Sequence, residues 1–247
     1  MKKRNQYGLI GKNISYSFSK GYFAKKFSDM DLADCSYDNF DLENINEFPA
    51  LIEANPNLKG LNVTIPYKES IIPLLDKLSK KAVEIAAVNT IRFTKKGKLK
   101  GYNTDCYGFK KSLKPLLKSH HKKALILGTG GASKAVAFAL QELEISYVFV
   151  SRNPLGDMID YAMLNKEIFN KYHILINCTP VGTSPNVNDC PDIPYELFTS
   201  KHIAFDLIYN PEETLFLKKA KRHGAKTKNG HEMLVFQAEK AWKIWTK

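Results

Sequence analysis

The chain has 247 residues and a formal net charge of +12, with 44% hydrophobic and 25% charged residues. This length supports one large domain or two small ones, and the composition is typical of ordinary globular proteins. No apolar run reaches the roughly 18 residues of a membrane span, and residues 8–11 are too short for a signal-peptide core. We therefore expect a cytoplasmic protein.

The excess of positive charge leaves three interpretations open: a solvated lysine-rich surface, attraction of an anionic small molecule, or binding of nucleic acid. The lysines are scattered, with local groups at 95–100 and 218–222, and no nucleic-acid-binding motif accompanies them. We favour the solvated lysine-rich surface and rank attraction of an anionic small molecule as the second interpretation. The cysteines and histidines have no metal-ligand spacing, so we expect reduced thiols and no metal site.

Strand-like and helix-like segments alternate along the chain, which predicts an α/β fold. In the first part the predicted strands are 6–11, 35–40 and the segment ending at 62–64. The predicted helices are 20–30 and 45–54, and 69–86 is expected to be mostly helical. A hairpin is predicted from 89–94 and 99–102. A helix over 104–118, with Thr104 or Asp105 as its N-cap, precedes a new βαβ unit, so we place the domain change near Asp105.

The segment 60–69, Gly-Leu-Asn-Val-Thr-Ile-Pro-Tyr-Lys-Glu, combines a strand with polar residues at its exit. Asn62 and Thr64 are two apart and face the same side of the strand, which Pro66 ends because it has no N–H for a ladder. Lys68 opens the predicted helix, at the strand exit where α/β folds place ligands. A lysine beside an amide and a hydroxyl can bind an anion or move a proton. The alternative is a surface lysine after an ordinary strand.

A second segment has the pattern of a dinucleotide-binding turn. The apolar strand 124–127 leads into Gly128-Thr129-Gly130-Gly131-Ala132-Ser133, and an amphipathic helix and the strand 147–150 follow. Glycines at such a turn let the backbone approach a pyrophosphate, whose charge the helix start then holds. We favour cofactor binding over a tight turn that needs glycine only for packing, although Ser133 replaces the third glycine of the strict motif.

The end of the second strand of this unit indicates which nicotinamide cofactor is used. Ser151, Arg152 and Asn153 occupy it, and no acid that could bind the ribose 2′-hydroxyl of NAD occurs before Asp157. The Arg152 guanidinium can instead pair with the 2′-phosphate of NADP. NADP is therefore favoured over NAD, the alternative being an arginine that only lies along the sheet edge.

Taken together, these segments resemble the shikimate dehydrogenase family over nearly the whole chain. The motifs that carry the resemblance are G-x-N-V-T-x-P-x-K-E at 60–69, the S-x-S ending of 11–19, A-V-N-T at 87–90, G-x-N-T-D at 101–105, N-x-T-P-x-G at 177–182, and the segments 206–211 and 229–238. The resemblance implies two α/β domains. A substrate-binding catalytic domain would cover 1–104, with a C-terminal helix (231–247) returning to it, and a Rossmann-like NADP-binding domain would cover 105–230.

The resemblance also implies an activity, the reversible NADPH-dependent reduction of 3-dehydroshikimate to shikimate in aromatic amino acid and chorismate biosynthesis. By motif position, Lys68 is the catalytic acid/base and Asp105 is its partner. The implied substrate-site residues are Ser17, Ser19, Asn62, Thr64, Lys68, Asn89, Asp105, Tyr209 and Gln237. The implied cofactor contacts are Gly128, Thr129, Gly130, Gly131, Ala132, Ser151, Arg152, Asn153, Thr179, Leu207 and Gly230.

Reduction of a ring ketone requires a hydride and a proton, and a positioned Lys68 ammonium can give the proton and stabilise the developing alkoxide. Asp105 can either act on Lys68 or accept a hydrogen bond from a substrate hydroxyl, and the sequence does not separate these roles. Helix capping is the alternative role for Ser19, and turn chemistry is the alternative for Asn89 and Asp105.

Three other functions compete with this one: an NAD-dependent quinate or broad-specificity shikimate/quinate dehydrogenase, a non-catalytic protein that binds NADP or a pathway metabolite, and a basic nucleic-acid binder. Arg152 disfavours NAD, the intact Lys68 and Asp105 disfavour a non-catalytic protein, and the motifs give nucleic-acid binding little support. We expect a small-molecule substrate, no nucleic-acid or membrane partner, and a monomer or homodimer.

Overall fold

The structure, a computed structural model, describes residues 5–14 and 17–247. Its strands are β1 (Asn5–Gly11), β2 (Cys35–Asp41), β3 (Leu58–Val63), β4 (Lys77–Leu78), β5 (Thr90–Phe93), β6 (Leu99–Tyr102), β7 (Lys123–Leu127), β8 (Ser146–Val150), β9 (Ile174–Asn177), β10 (Ile203–Asp206) and β11 (Lys226–Lys228). Its helices are α1 (Phe18–Asp29), α2 (Phe48–Ala54), α3 (Lys80–Ile85), α4 (Asp105–Leu113), α5 (Gly131–Gln141), α6 (Lys166–Lys171), α7 (Leu215–Arg222) and α8 (His231–Trp245). No helix in the described part of the chain has both the length and the hydropathy to cross a lipid bilayer.

The chain divides into two compact units: unit 1 comprises Met1–Thr104 and Ala238–Lys247, and unit 2 comprises Asp105–Gln237. This division falls inside α8, whereas the family resemblance implies that all of 231–247 belongs to the first domain. The early turns of α8 pack against α4, where the Cβ position of Gly108 lies 2.4 Å from the Met233 carbonyl oxygen. The functional assignment of each unit stays a prediction.

Unit 1 is built on a six-stranded mixed sheet in the order β2-β1-β3-β5-β6-β4. β1 lies parallel to both β2 and β3, whereas β5 runs antiparallel to β3 and β6. Both faces of the sheet carry core side chains. Ile10 and Leu61 cluster with Phe48 of α2, and Tyr7 clusters with Phe23 of α1 and with α8. Because both faces are covered, β1 is buried over most of its length.

The end of α8 completes the core of unit 1. Trp245 lies against β3, and its Nε1 donates a hydrogen bond to the Ile91 carbonyl at 2.9 Å. A Cβ atom on Gly60 would lie 2.2 Å from the Trp245 ring. Any side chain at this first position of the 60–69 motif would therefore displace the tryptophan.

Unit 2 contains a five-stranded parallel sheet in the order β11-β10-β9-β7-β8. The chain passes from β7 to β8 on one side and then returns to β9 on the other side of β7. β7 therefore marks the switch point at which open α/β sheets bind ligands. Leu125, Leu175 and Ala204 on the central strands are fully buried in one core with Phe169 and Phe216. These features confirm the α/β class and the Rossmann-like sheet.

The prediction that 69–86 is mostly helical is wrong. Turns occupy 65–71, a short 3-10 segment covers Ile72–Leu74, and β4 and α3 follow. Pro73 explains the difference, because proline lacks an N–H and its ring clashes with the preceding turn of an α-helix. Lys68 therefore lies in a turn after β3 and does not open a helix.

The predicted helix over 104–118 is shorter in the structure. α4 ends at Leu113, and Lys114–Leu116 forms a 3-10 segment around Pro115. Proline again prevents the α-helix from continuing. The other predicted strands and helices are confirmed to within a few residues.

Candidate active site

Asn62 lies near the end of β3 in a buried polar network of unit 1. Its Oδ1 accepts a hydrogen bond from the Tyr37 hydroxyl at 2.9 Å, and its Nδ2 donates to the Asn89 carbonyl at 3.1 Å and to Thr90 Oγ1 at 3.3 Å. Burial raises the pKa of Tyr37, so its hydroxyl stays protonated and donates to Asn62. Tyr37 thus holds the side chain of Asn62, a predicted substrate-site residue, by a hydrogen bond.

Asn89 connects the start of β5 to the residues that follow β6. Its Oδ1 accepts hydrogen bonds from the Thr104 backbone N at 2.7 Å and from the Thr104 hydroxyl at 3.1 Å. Its carbonyl also accepts from the Val63 backbone N at 2.9 Å. These bonds join segments that are distant in sequence, which goes beyond the local turn chemistry named as its alternative role.

The turn that follows β3 holds Lys68 by its backbone. The Lys68 carbonyl accepts a hydrogen bond from the Val88 backbone N at 2.7 Å, and the Tyr67 backbone N donates to the Thr64 carbonyl at 2.9 Å. The Tyr67 hydroxyl donates to the Leu42 carbonyl at 2.5 Å. Thr64 and Lys68 therefore share one tightly bonded turn, in which both side chains are half-buried.

Ser17 and Ser19 lie at the start of α1. Ser17 precedes the helix with an extended backbone, but its hydroxyl makes no capping hydrogen bond. Its Oγ is buried and lacks a hydrogen-bond partner among the residues that the structure describes. A buried hydroxyl without a partner costs free energy, which a bound ligand would recover. The alternative of Ser19 as the N-cap is wrong, because α1 already begins at Phe18.

Unit 2 carries Asp105, Tyr209 and Gln237, which are also predicted substrate-site residues. Asp105 is the first residue of α4 and is 7% exposed, and Gln237 on α8 is 6% exposed. Gly108, one turn after Asp105, has its Cβ position 3.2 Å from the Gln237 Cβ. The structure therefore brings Asp105 and Gln237 onto two packed helices. Tyr209 is half-buried after β10.

The predicted cofactor contacts all follow the carboxyl ends of strands in unit 2. Residues 128–132 follow β7, 151–153 follow β8, Thr179 follows β9, Leu207 follows β10, and Gly230 follows β11. Because the strands are parallel, these ends lie along one edge of the sheet. The structure thus gathers at a single edge residues that are about a hundred positions apart in the chain.

The turn after β7 has the features of a pyrophosphate site. Gly130 is the N-cap of α5, and beyond its chain neighbours no described atom lies within 4 Å of the place where its Cβ would be. The first N–H groups of a helix have no acceptor within it and carry the positive end of its dipole. Thr129 and Gly130 are exposed, so an anion can reach these groups. The turn therefore fits a dinucleotide.

The segments after β9, β10 and β11 are bonded to one another. Asn177 Oδ1 accepts hydrogen bonds from the Thr179 backbone N at 3.0 Å and from its hydroxyl at 2.6 Å. The Leu207 backbone N donates to the Asn177 carbonyl at 3.0 Å. A Cβ on Gly230 would lie 2.0 Å from the Leu207 carbonyl oxygen, so only glycine permits this approach.

Arg152 is exposed just beyond β8, in a segment 151–156 that contains no acid. The Asn153 backbone N donates a hydrogen bond to Ser151 Oγ at 3.2 Å, which holds the turn locally. Burial raises the pKa of Tyr161, and the positive charge of Arg152 opposes that rise. A solvent-accessible guanidinium in this position fits a phosphate group.

Two residues that organise these sites were not predicted from the sequence. Tyr37 has only the alternating pattern of β2 as a signal, and nothing in that pattern shows what its hydroxyl bonds. Asp206 ends the apolar strand β10 and is fully buried. Burial raises its pKa to about 6, whereas the hydrogen bonds that it accepts oppose the rise. A lone acid that ends an apolar strand is the signal that could have drawn attention to it.

Comparison with known proteins gives a consistent result along the chain. The family model described as the shikimate dehydrogenase substrate binding domain matches residues 9–91. The shikimate dehydrogenase (NADP(+)) of Caldanaerobacter subterraneus is 38% identical over 262 residues, which cover 97% of this chain and 91% of the relative. The enzyme of the same name from Clostridium botulinum is 38% identical over 96% of this chain and 95% of its own length.

Solved structures show the same similarity. A shikimate dehydrogenase in complex with NADP+ superposes with a TM-score of 0.89 at 33% identity, covering 99% of this chain and 90% of its own. The shikimate 5-dehydrogenase of Thermus thermophilus, in complex with NADP(H) and shikimate, gives a TM-score of 0.86 at 32% identity, covering 98% of this chain and 93% of its own.

Proposed function

Because this chain belongs to the shikimate dehydrogenase family, we propose that it catalyses the reversible NADP-dependent reduction of 3-dehydroshikimate to shikimate, a step of chorismate and aromatic amino acid biosynthesis. The observation that carries the proposal is the similarity, at 38% identity over 97% of the chain, to a relative named for this activity. The intact 60–69 motif at the exit of β3 supports it.

The polar groups of unit 1 suit a substrate that carries a carboxylate and ring hydroxyls. Ser17, with its unpartnered buried Oγ, and Ser19 donate hydrogen bonds to the carboxylate. The amides of Asn62 and Asn89 and the hydroxyl of Thr64 bond the ring hydroxyls, since amides and hydroxyls can both donate and accept. Tyr209 and Gln237 of unit 2 complete the proposed substrate set.

Lys68 is the proposed catalytic acid/base. Its ammonium donates the proton that the ketone oxygen needs during reduction and stabilises negative charge developing on that oxygen. In the reverse direction the neutral amine accepts the hydroxyl proton. The Asp105 carboxylate accepts a hydrogen bond either from this ammonium or from a substrate hydroxyl, and either bond would help to orient the reacting groups.

NADPH, when bound, supplies the hydride. The residues 128–132 and the start of α5 hold its pyrophosphate, as their open helix start allows. Arg152, between Ser151 and Asn153, pairs with the 2′-phosphate and thereby selects NADP over NAD. Thr179, Leu207 and Gly230 provide the remaining contacts from the same sheet edge.

Initial rates with shikimate and quinate, each with NADP+ and NAD+, test this proposal. We expect shikimate with NADP+ to be the fastest combination. The Arg152→Ala variant should lower kcat/KM for NADP+ by about tenfold, because a charge-assisted bond to phosphate is lost, and should leave kcat/KM for NAD+ nearly unchanged. Faster turnover of quinate, or equal losses with both cofactors in the variant, would contradict the proposed substrate or the proposed role of Arg152, respectively.

A further inference from the structure

Asp206, at the end of β10, is fully buried, and the proposed reaction gives it no part. Its Oδ2 accepts a hydrogen bond from Thr214 Oγ1 at 2.6 Å. Its Oδ1 accepts from the Ile208 backbone N at 3.0 Å and from Asn177 Nδ2 at 3.1 Å. Donors from three separate segments therefore converge on one carboxylate.

Two of these donors lie beside proposed cofactor contacts. The side chain of Asn177 that donates to the carboxylate also accepts both hydrogen bonds from Thr179. Ile208 directly follows Leu207, and its carbonyl accepts a hydrogen bond from the Gly230 backbone N at 3.0 Å. The carboxylate is thus bonded directly to the residues beside Thr179 and Leu207, and through Ile208 it is connected to Gly230 by a second hydrogen bond.

The groups around the Asp206 carboxylate are all hydrogen-bond donors, so this position requires an acceptor. Asn177 Oδ1 is occupied by Thr179, so the Asn177 Nδ2 group lies toward Asp206 and donates both to its carboxylate and to the Val181 carbonyl. Thr214 Oγ1 accepts from the Leu217 backbone N at 3.4 Å, which leaves its own hydrogen to donate to Asp206. The backbone N–H of the third partner can only donate. An amide in place of the carboxylate would bring its NH2 group opposite one of these donors, and the two could not form a hydrogen bond.

We propose that Asp206 is a positioning residue that holds the segments 178–181 and 207–208 in the conformation that binds NADP(H). This proposal rests on the proposed function, because it takes the cofactor contacts from there. A carboxylate forms charge-assisted hydrogen bonds, which are stronger than neutral ones, and this one is shielded from competing water by burial. Asp206 acts through Thr179, Leu207 and Gly230 and touches no reacting atom.

The Asp206→Asn variant tests the proposal, because it keeps the shape and removes one acceptor. The Kd for NADPH, measured by fluorescence titration, and the KM for NADP+ should rise by about tenfold, as expected for loss of one charge-assisted bond. The kcat and the KM for shikimate should stay within about threefold of wild type, since the chemical groups are untouched.

A pair of variants at Thr214 gives a second test that does not depend on the folding of the first variant. Thr214→Val removes the donor to Asp206, whereas Thr214→Ser keeps it. We expect the valine variant to bind NADPH more weakly than wild type and the serine variant to bind it as tightly as wild type. Phe169→Leu, in the core of the same unit, serves as a stability control that should lower the melting temperature without changing the Kd.

The outcomes separate this inference from the proposed function. If Asp206→Asn and Thr214→Val lose thermal stability but keep the wild-type Kd for NADPH, the carboxylate has only a structural role. That result would overturn this inference and leave the proposed function standing. An equal rise in Kd for Phe169→Leu would overturn it as well, because the effect would follow from stability. A wild-type protein that binds no NADPH would overturn the proposed function and this inference with it.

Discussion

Lys68 combines a fixed backbone with a side chain that is only half-buried. The bonds from Val88 to the Lys68 carbonyl and from Tyr67 to Thr64 set the path of the turn. The proposed role of Lys68 as a catalytic acid requires a fixed backbone and a side chain that a substrate can reach, and this arrangement supports that proposal. The same turn places Lys68 beyond the polar end of β3.

Replacement of Lys68 by alanine should lower kcat by at least about 10²-fold, because the proton donor at the ketone oxygen is lost. The KM for shikimate should change by less than about threefold. Steady-state kinetics in both directions measure these effects. Lys98→Ala, at an exposed lysine between β5 and β6, is the matched control and should behave as wild type. A variant with preserved kcat and a greatly raised KM would instead make Lys68 a binding residue.

The placement of some residues can be predicted from the sequence, whereas the roles of others cannot. The alternation of Asn62 and Thr64 and the proline that follows them define a strand exit, so their placement could be predicted. The roles of Tyr37 and Asp206 depend on which strands are neighbours and on which donors surround each group. That information is tertiary, and no local pattern in the chain encodes it.

The two edges of the sheet in unit 2 differ in chemistry. The carboxyl ends of the strands carry the proposed cofactor contacts, whereas histidines precede the strands at the amino ends. His121 precedes β7, His173 precedes β9, and His202 precedes β10. The rings of His120 and His121 have centroids 4.1 Å apart, and those of His173 and His202 are 5.3 Å apart. Burial lowers the pKa of His121 to about 4, and burial also lowers the pKa of His173 and His202.

These histidines predict a loss of stability in acid. The unfolded chain protonates His121 below a pH of about 6.5, whereas the folded chain resists protonation down to about 4, so the free energy of unfolding falls as the pH drops through this window. His121→Asn keeps an acceptor for the Lys118 backbone N but does not titrate. Between pH 7 and about 4.5, wild type should lose about 2 kcal/mol more than this variant in urea unfolding.

His223→Asn makes the same substitution at an exposed histidine and provides the control for that experiment. The carboxyl of Asp206, whose raised pKa acts in the opposite direction, is present in every protein compared and cancels from the difference. Equal pH dependence in wild type and His121→Asn would show that this histidine does not govern acid stability.

Helices and strands are predicted poorly from the sequence where a proline interrupts a helix or where a strand is very short. The apolar run before Gly128 predicts β7 well, because a buried parallel strand is apolar along its whole length. Pro73 breaks the predicted helix over 69–86, and β4 within that range has only two residues. A strand this short is defined by its pairing with β6, so its own sequence carries almost no signal.

At the scale of the whole molecule, the proposed substrate-binding and cofactor-binding residues are divided between the two units. Most of the proposed substrate residues belong to unit 1, and all of the proposed cofactor contacts belong to unit 2. The family motifs imply this distribution, whereas composition does not, because a net charge of +12 is equally consistent with several kinds of anionic partner. The return of α8 residues to unit 1 is a long-range packing event that rests on Trp245 and its neighbours.

Formation of NADPH by the purified chain, followed by absorbance after addition of shikimate and NADP+, tests the central claim most directly. We expect NADPH formation that requires shikimate and that Lys68→Ala nearly abolishes. A well-folded wild-type protein that forms no NADPH at any pH tested, although NADP+ and shikimate each raise its melting temperature, would contradict the account and show a binding protein without catalysis.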